Sequence, residues 1–184
     1  MTHKILAFAG STRQGSFNRQ ALAHAVDGAR AAGAEVSLID LRDYTLPLYN
    51  GDLELSHGIP DSAVRLKELF KSHQGLLLAC PEYNSSITPL LKNTLDWVSR
   101  PHGEESGLVP YQGKLAMLVA ASAGNLGGLR GLRHVREILT TLGVLVLPSQ
   151  VAVSHADTPL AEEMKSRLQA AGSDLANALR RWHA

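Results

Sequence analysis

Cysteine is scarce in this chain: Cys80 is the only one among 184 residues, so no intrachain disulfide can form. An excess of one charge sign is also lacking, since 18 Lys and Arg face 17 Asp and Glu for a formal net charge of +1. That balance excludes the clustered basic footprint of a nucleic-acid binder. It equally argues against the acidic face of an electron carrier that docks on basic partners. Long hydrophobic runs are missing as well. The opening run Ile5-Leu6-Ala7-Phe8-Ala9 stops at Gly10, too short for a signal-peptide core or a membrane span, so a cytoplasmic chain without a membrane partner is expected. Eight histidines are scattered with no H-x-x-x-H or H-x-x-E-H spacing, and no metal site is expected. Asn84-Ser85-Ser86 matches a glycosylation sequon, but without a secretion route the match is a coincidence of composition.

What remains is an ordinary globular composition, 45% apolar and 19% charged, at a length that fits one domain over residues 1–184. Lys4 to Ala9 reads as a strand buried on both faces. Asn18 to Ala32 carries Ala21, Leu22, Ala25, Val26 and Ala29 at helical spacing, and Gly33 stops it. Glu35–Leu41 reads as a second strand, Arg42–Pro60 as irregular chain, and Asp61 or Ser62 as the cap of a helix with Val64, Leu66, Leu69 and Phe70 on its stripe. Gly75–Cys80 is a third strand, Leu90–Val98 a helix and Arg100–Gln112 a polar loop. Lys114–Ala121 is a fourth strand, followed by a helix ending at Leu142, a fifth strand at Val144–Leu147 and a last helix over Pro159–His183. Strands alternating with helices predict an α/β/α sandwich on a parallel sheet. Five strands suit the flavodoxin-like order 2-1-3-4-5.

In a parallel sheet all strand-to-helix loops share one edge, where ligands bind. Three loops on that edge are rich in Gly, Ser and Asn: Gly10–Asn18, Pro81–Ser86 and Ser122–Gly128. The first combines a helix N-terminus with Ser11, Thr12, Ser16, Asn18 and Arg13, a donor set suited to a phosphate. Gly10 and Gly15 have the Walker spacing, but Ser16-Phe17 stands where the phosphate-reaching lysine and hydroxyl would be. The G-x-G-x-x-G dinucleotide pattern fails at Thr12, so a monophosphate is expected. The second loop offers the N–H groups of Tyr83 and Asn84 to a planar ring, with Tyr83 as an apolar wall. The third has glycines that admit a flat ligand close to backbone.

GSTRQGSFN after strand one, PEYNSSITPLLKNTLDWVSR after strand three and ASAGNLGG after strand four resemble the NADPH-dependent FMN reductase family, with the bacterial quinone and chromate reductases as the nearest likeness. The resemblance implies a flavodoxin-like fold, FMN as cofactor and NADPH or NADH as co-substrate. It implies an enzyme passing hydride through flavin N5 to a quinone, a flavin, an azo compound or a metal oxyanion such as chromate. By motif, Ser11, Arg13, Ser16 and Asn18 would hold the FMN phosphate. Pro81, Glu82, Tyr83 and Asn84 would line the ring, and Ser122, Gly124 and Gly127 would border ribityl chain and ring. No side chain need act as acid or base, because the flavin carries the chemistry. The resemblance further implies a homodimer or homotetramer, with the loop Leu46–Asp52 near a neighbour's flavin.

Arg100 is a candidate for the co-substrate's phosphate or the acceptor's charge, set against a plain helix-end arginine. Cys80 reads as a core thiol, Trp97 as packing, and Asp40 as a strand-end cap or a partner of Arg42. Two other readings stand beside the enzyme: a non-catalytic flavodoxin-like carrier and a regulatory nucleotide-binding module.

Overall fold

The computed structural model describes residues 3–182. Five parallel strands form the sheet in the order β2-β1-β3-β6-β7: β1 Lys4–Ala9, β2 Glu35–Leu38, β3 Gly75–Ala79, β6 Leu115–Ala121 and β7 Leu145–Val153. A separate two-stranded ladder pairs β4 Glu82–Tyr83 with β5 Ser86–Ile87. The helices are α1 Phe17–Ala31, α2 Gly51–His57, α3 Asp61–Ser72, α4 Pro89–Val98, α5 Leu129–Thr141 and α6 Glu162–Trp182. This is the expected doubly wound order, with the switch point between β1 and β3.

The period-2 alternation of strands divides the core in two. Ile5 and Ala7 point to the face covered by α1 and α6, where they meet Leu22, Val26, Leu168 and Leu175. Leu6 and Phe8 point to the other face, against Leu66, Phe70, Leu95 and Leu132 of α3, α4 and α5. Covered on both sides, β1, β3 and β6 read as nearly unbroken apolar runs. On the first face α1 and α6 approach backbone to backbone. A Cβ on Gly28 would stand 1.9 Å from the Gln169 carbonyl oxygen, and one on Gly172 would stand 1.8 Å from that of Ala25. The Ser173 hydroxyl completes the crossing by donating to the Gly28 carbonyl at 2.9 Å.

Several elements differ from the sequence expectation, among them β2, which ends at Leu38 rather than Leu41 because Leu41–Asp43 turns into a short 3-10 helix capped by Asp40. The last strand continues through Pro148 to Val153, because β7 lies at the sheet edge, where a missing N–H is tolerated. The register shifts between Ala116 and Leu118, and Arg136 donates to the carbonyls of Val146 (3.0 Å) and Leu147 (2.7 Å) at the irregularity. The supposedly irregular segment contains α2, capped by the Asn50 side chain on the Asp52 N–H. No α2 residue is buried, so it has no apolar stripe to announce it. Pro60 rather than Asp61 or Ser62 occupies the cap of α3, without a side-chain bond. The last helix begins at Glu162, not Pro159, and its predicted end at His183 lies outside the described residues.

Candidate functional site

The chain leaves β1 into the Gly10–Asn18 loop, and the three polar loops meet over the carboxyl ends of β1, β3 and β6. A crevice of about 230 Å3 lies between them, lined by Ser11, Arg13, Ser16 and Asn18 from the first loop, Pro81, Glu82 and Tyr83 from the second and Ser122 from the third. Gly10 lets the first two loops touch: a Cβ there would meet Leu91 Cβ at 2.9 Å and Pro81 Cδ at 3.3 Å. Thr88 ties the same junction. Its hydroxyl donates to the Gly10 carbonyl at 2.8 Å and accepts from the Leu91 N–H, capping α4.

The first loop presents donors. Ser16 caps α1, its Oγ accepting from the Arg19 N–H at 3.4 Å. The N–H groups of Phe17 and Asn18 head the helix, where no helical carbonyl reaches them. Arg13 is exposed and has no carboxylate partner among the described residues. Asn18 is committed differently from its sequence-based assignment. Its Nδ2 donates to the Ala121 carbonyl at 2.7 Å and its Oδ1 accepts from the Ala121 N–H at 3.0 Å. The side chain therefore straps α1 to the end of β6, and its second Nδ2 hydrogen and its backbone N–H remain for a ligand.

The second loop is a hairpin rather than a plain turn. Tyr83 pairs with Ser86 across Asn84 and Ser85, whose φ values of 49° and 67° match a type I′ connection. The hairpin holds Tyr83 half out in solvent, 53% exposed, beside the crevice. Its other side leans on α5. The Ser86 hydroxyl lies 2.9 Å from His134 Nδ1. The Glu82 carboxylate accepts from Arg130 Nε and from the Gly131 N–H, both at 2.9 Å, and from Arg130 Nη2. Burial alone raises the Glu82 pKa, but the Gly131 and Arg130 hydrogen bonds outweigh it and hold the carboxyl below its ordinary value. Glu82, expected to line a ring, borders the crevice while its carboxylate docks the hairpin on α5.

In the third loop Ser122 Oγ accepts from the Gly124 N–H at 3.2 Å, and a Cβ on Gly124 would meet only that hydroxyl within 4 Å. Gly127 serves packing. It has φ 59°, and a Cβ would stand 2.7 Å from the Val153 carbonyl carbon. Gly128, also left-handed at φ 93°, packs on Ala120 Cβ and caps α5. Of the glycines predicted to face a ligand, Gly124 alone has open space.

Arg100 is also committed. Its Nε lies 3.0 Å from Glu54 Oε2, and its guanidinium stands 5.2 Å from the Tyr49 ring centroid. Asn93 Nδ2 and Trp97 Nε1 both donate to the Pro47 carbonyl, so the Pro47–Asp52 segment is strapped along α4. Trp97 is fully buried, and burial pushes the Cys80 thiol pKa up, as suits a core residue. Asp40 does both things expected of it, accepting from the Arg42 N–H at 3.0 Å and pairing with its guanidinium at 2.7 Å. Arg19, on the first turn of α1, also reaches Asp40 at 3.0 Å, a contact with no local sequence signal. Among the described residues no helix is long and apolar enough to cross a membrane.

A larger cavity, about 530 Å3, lies on the other side of the first loop, toward the end of β2. The three loops do not line it together, and it shares only Ser11 and Ser16 with the crevice.

The model of a protein family described as NADPH-dependent FMN reductase matches residues 3–158. An NAD(P)H-dependent FMN reductase of Pseudomonas aeruginosa is 40% identical over 121 residues, 66% of this chain and 60% of that relative. A quinone reductase of Escherichia coli is 32% identical over 145 residues, 78% of this chain and 73% of that one. The match spans 59–63% of the length of the P. aeruginosa protein and of similar reductases from Burkholderia and Solanum tuberosum. Among solved structures, the flavoenzyme NAD(P)H:(acceptor) oxidoreductase FerB of Paracoccus denitrificans superposes with a TM-score of 0.76 at 24% identity, covering 96% of this chain and 98% of that one. The fold is thereby flavodoxin-like, and with the family model spanning most of its length, the chain belongs to the NADPH-dependent FMN reductase family.

Proposed function

We propose that this protein is an FMN-carrying NAD(P)H oxidoreductase that reduces small acceptors, quinones foremost, through the carboxyl-edge crevice. The carrying observation is the donor set of the first loop. Open N–H groups of Phe17 and Asn18, the hydroxyls of Ser11 and Ser16 and an Arg13 without a carboxylate partner all border one crevice. Donors around a helix N-terminus suit a phosphate dianion. The one carboxylate bordering the crevice, Glu82, is neutralised by Arg130. The donor set therefore fits the phosphate of FMN.

The chemistry FMN supplies when bound is acceptance of hydride from NAD(P)H and delivery of electrons to the acceptor. The protein supplies position. Arg13, Ser11 and Ser16 anchor the phosphate. Tyr83 gives the ring an apolar wall, and the hairpin N–H groups of Tyr83 and Asn84 face its polar edge. Pro81 fixes the entry to that hairpin, and Ser122 and Gly124 border the ribityl side. Fixed main-chain dipoles of this kind stabilise negative charge on a ring because they need no reorganisation. The side chains of Asn18 and Glu82 and the backbone of Gly127 hold these loops in place, while the Asn18 N–H serves the phosphate, and Arg100 holds the Pro47–Asp52 segment.

The protein acts, on this reading, as one flavodoxin-like domain in the cytoplasm. It assembles as a homodimer or homotetramer, in which the exposed side chains of Leu48 and Leu55 find cover. The relatives include both FMN reductases and quinone reductases, which favours direct NAD(P)H turnover over a passive carrier.

The test is to load purified protein with FMN, separate free flavin and record the visible spectrum, then follow NADPH and NADH oxidation with benzoquinone. Retained flavin and turnover with quinone are expected. Protein that retains no flavin overturns the reading.

A further inference from the structure

The larger of these two cavities has no task in the proposed flavin site. It opens outside the carboxyl ends of β1 and β2, at the start of α1 and one strand away from the switch point between β1 and β3. Its volume of about 530 Å3 lies within the range of sites for drug-sized ligands. The floor is apolar: Leu22, Leu38 and Ile39 line it, and Leu38 is 49% exposed although it sits on a strand. A flat base laid on that floor removes apolar area from water.

The rim is polar and incompletely used. The side-chain amides of Gln14 and Gln20 each carry a donor and an acceptor, and neither makes a hydrogen bond within the described residues. These two suit the edge of a base, which presents both kinds of group. Asp40 stands where the rim meets the end of β2. Its Oδ2 is taken by Arg42 and Arg19, while its Oδ1 accepts one bond, from the Arg42 N–H. One lone pair of Oδ1 remains for a hydroxyl such as that of a ribose. The Arg42 hydrogen bonds hold the Asp40 carboxyl below its ordinary value, so it stays an acceptor at neutral pH. Arg19 is ion-paired with Asp40 through Nη2 at 3.0 Å and keeps its other guanidinium N–H groups for an anion.

We propose that this second crevice binds an adenosine phosphate. The base lies on Leu22, Leu38 and Ile39 against the Gln14 and Gln20 amides, the ribose hydroxyls on Asp40, and the phosphate on Arg19. Two sources share that chemistry: the adenosine half of the nicotinamide co-substrate and a free adenine nucleotide. The first source rests on the reductase reading of the neighbouring crevice; the second does not.

The experiment uses FMN-loaded protein and isothermal titration with two probes, AMP and NAD+, both of which carry free ribose hydroxyls for Asp40. It is repeated with Ala23→Trp, which fills the crevice from the exposed face of α1, and with Leu38→Gln, which removes the apolar floor. Saturable binding that weakens about tenfold or more in both variants is expected. Flavin content, read from the visible spectrum, stays at the wild-type level, which separates this test from that of the flavin site. If NAD+ displaces AMP, the co-substrate is the source. If AMP saturates and NAD+ does not displace it, a free nucleotide is. The proposal is overturned if neither probe saturates by about 1 mM, or if both variants bind as the wild type does.

Discussion

The Glu82 clamp gives the most demanding prediction, because the same carboxylate supports both stability and site geometry. Its side chain is 7% exposed and accepts from the Gly131 N–H at 2.9 Å and from Arg130. Glu82→Ala leaves the Gly131 N–H, third residue of α5, without its acceptor, while Arg130, 51% exposed, returns to water. A hydrogen bond to a charged group contributes about 1.5–3 kcal/mol, and an orphaned buried donor costs about 1–3 kcal/mol. These overlap rather than add, so a loss of about 2–3 kcal/mol is expected. At about 2–4 °C per kcal/mol for a domain of this size, Tm falls by about 4–12 °C. Glu82→Gln keeps the shape but loses the charge, and falls by less.

The pH dependence has a definite sign. The folded-state pKa lies below the unfolded value, so the Glu82 contribution is present above the unfolded carboxylate range and is lost as pH falls through the folded value. Circular-dichroism melts of wild type and Glu82→Ala at pH 7 and at acid pH check both points. The hairpin also loses its anchor, so flavin affinity drops alongside Tm. An alanine variant that melts within about 1 °C of wild type at pH 7 refutes the reasoning.

Arg13→Ala removes a charged phosphate donor, and FMN binding, read by fluorescence quenching, should weaken about tenfold or more. Arg100→Met should leave FMN affinity within about twofold of wild type, since Arg100 is bound to Glu54 and Tyr49; a large loss would return Arg100 to the ligand site. Gly28→Ala drives a methyl into the Gln169 carbonyl, and overpacking of about 1–3 kcal/mol or more should appear as a lower urea midpoint. Lys114 is buried, donates to the His73 carbonyl, and has its pKa lowered by burial to about 8. Its folded pKa lies below the unfolded one, so its contribution to stability should rise between pH about 8 and about 10.5, by at most about 3 kcal/mol. The buried Cys80 thiol, with its raised pKa, acts in the opposite sense above pH about 9, so the measurement is the stability of wild type minus that of Lys114→Met in urea titrations: this difference should rise over that window, and a constant difference would contradict the assignment.

The local code carried much of this protein. Apolar runs at β1, β3 and β6 are legible because strands covered on both faces need no alternation. Their order follows from βα repetition and the right-handed crossover, and chemistry-bearing loops on one edge follow from parallel strands. Elements lacking a buried stripe escaped: α2 buries nothing, and the hairpin at Glu82–Ile87 is too short to show a period. Pro148 hid half of β7, because whether a strand tolerates proline depends on its place in the sheet.

The identity of the donors around a phosphate was readable from residue types at a helix start. Which of them are free was not, since a side chain is spent or spared by partners far along the chain. Asn18 is taken by Ala121, 103 residues away, and Glu82 by Arg130, 48 residues away. Arg100 is held by Glu54 across 46 residues, and Arg19 by Asp40 on the neighbouring strand end. Composition and periodicity thus determined the sheet, its order and the edge that bears chemistry. Only the tertiary packing decided which polar groups on that edge face a ligand and which hold the loops, because hydrogen-bond valence is limited and distant neighbours compete for it.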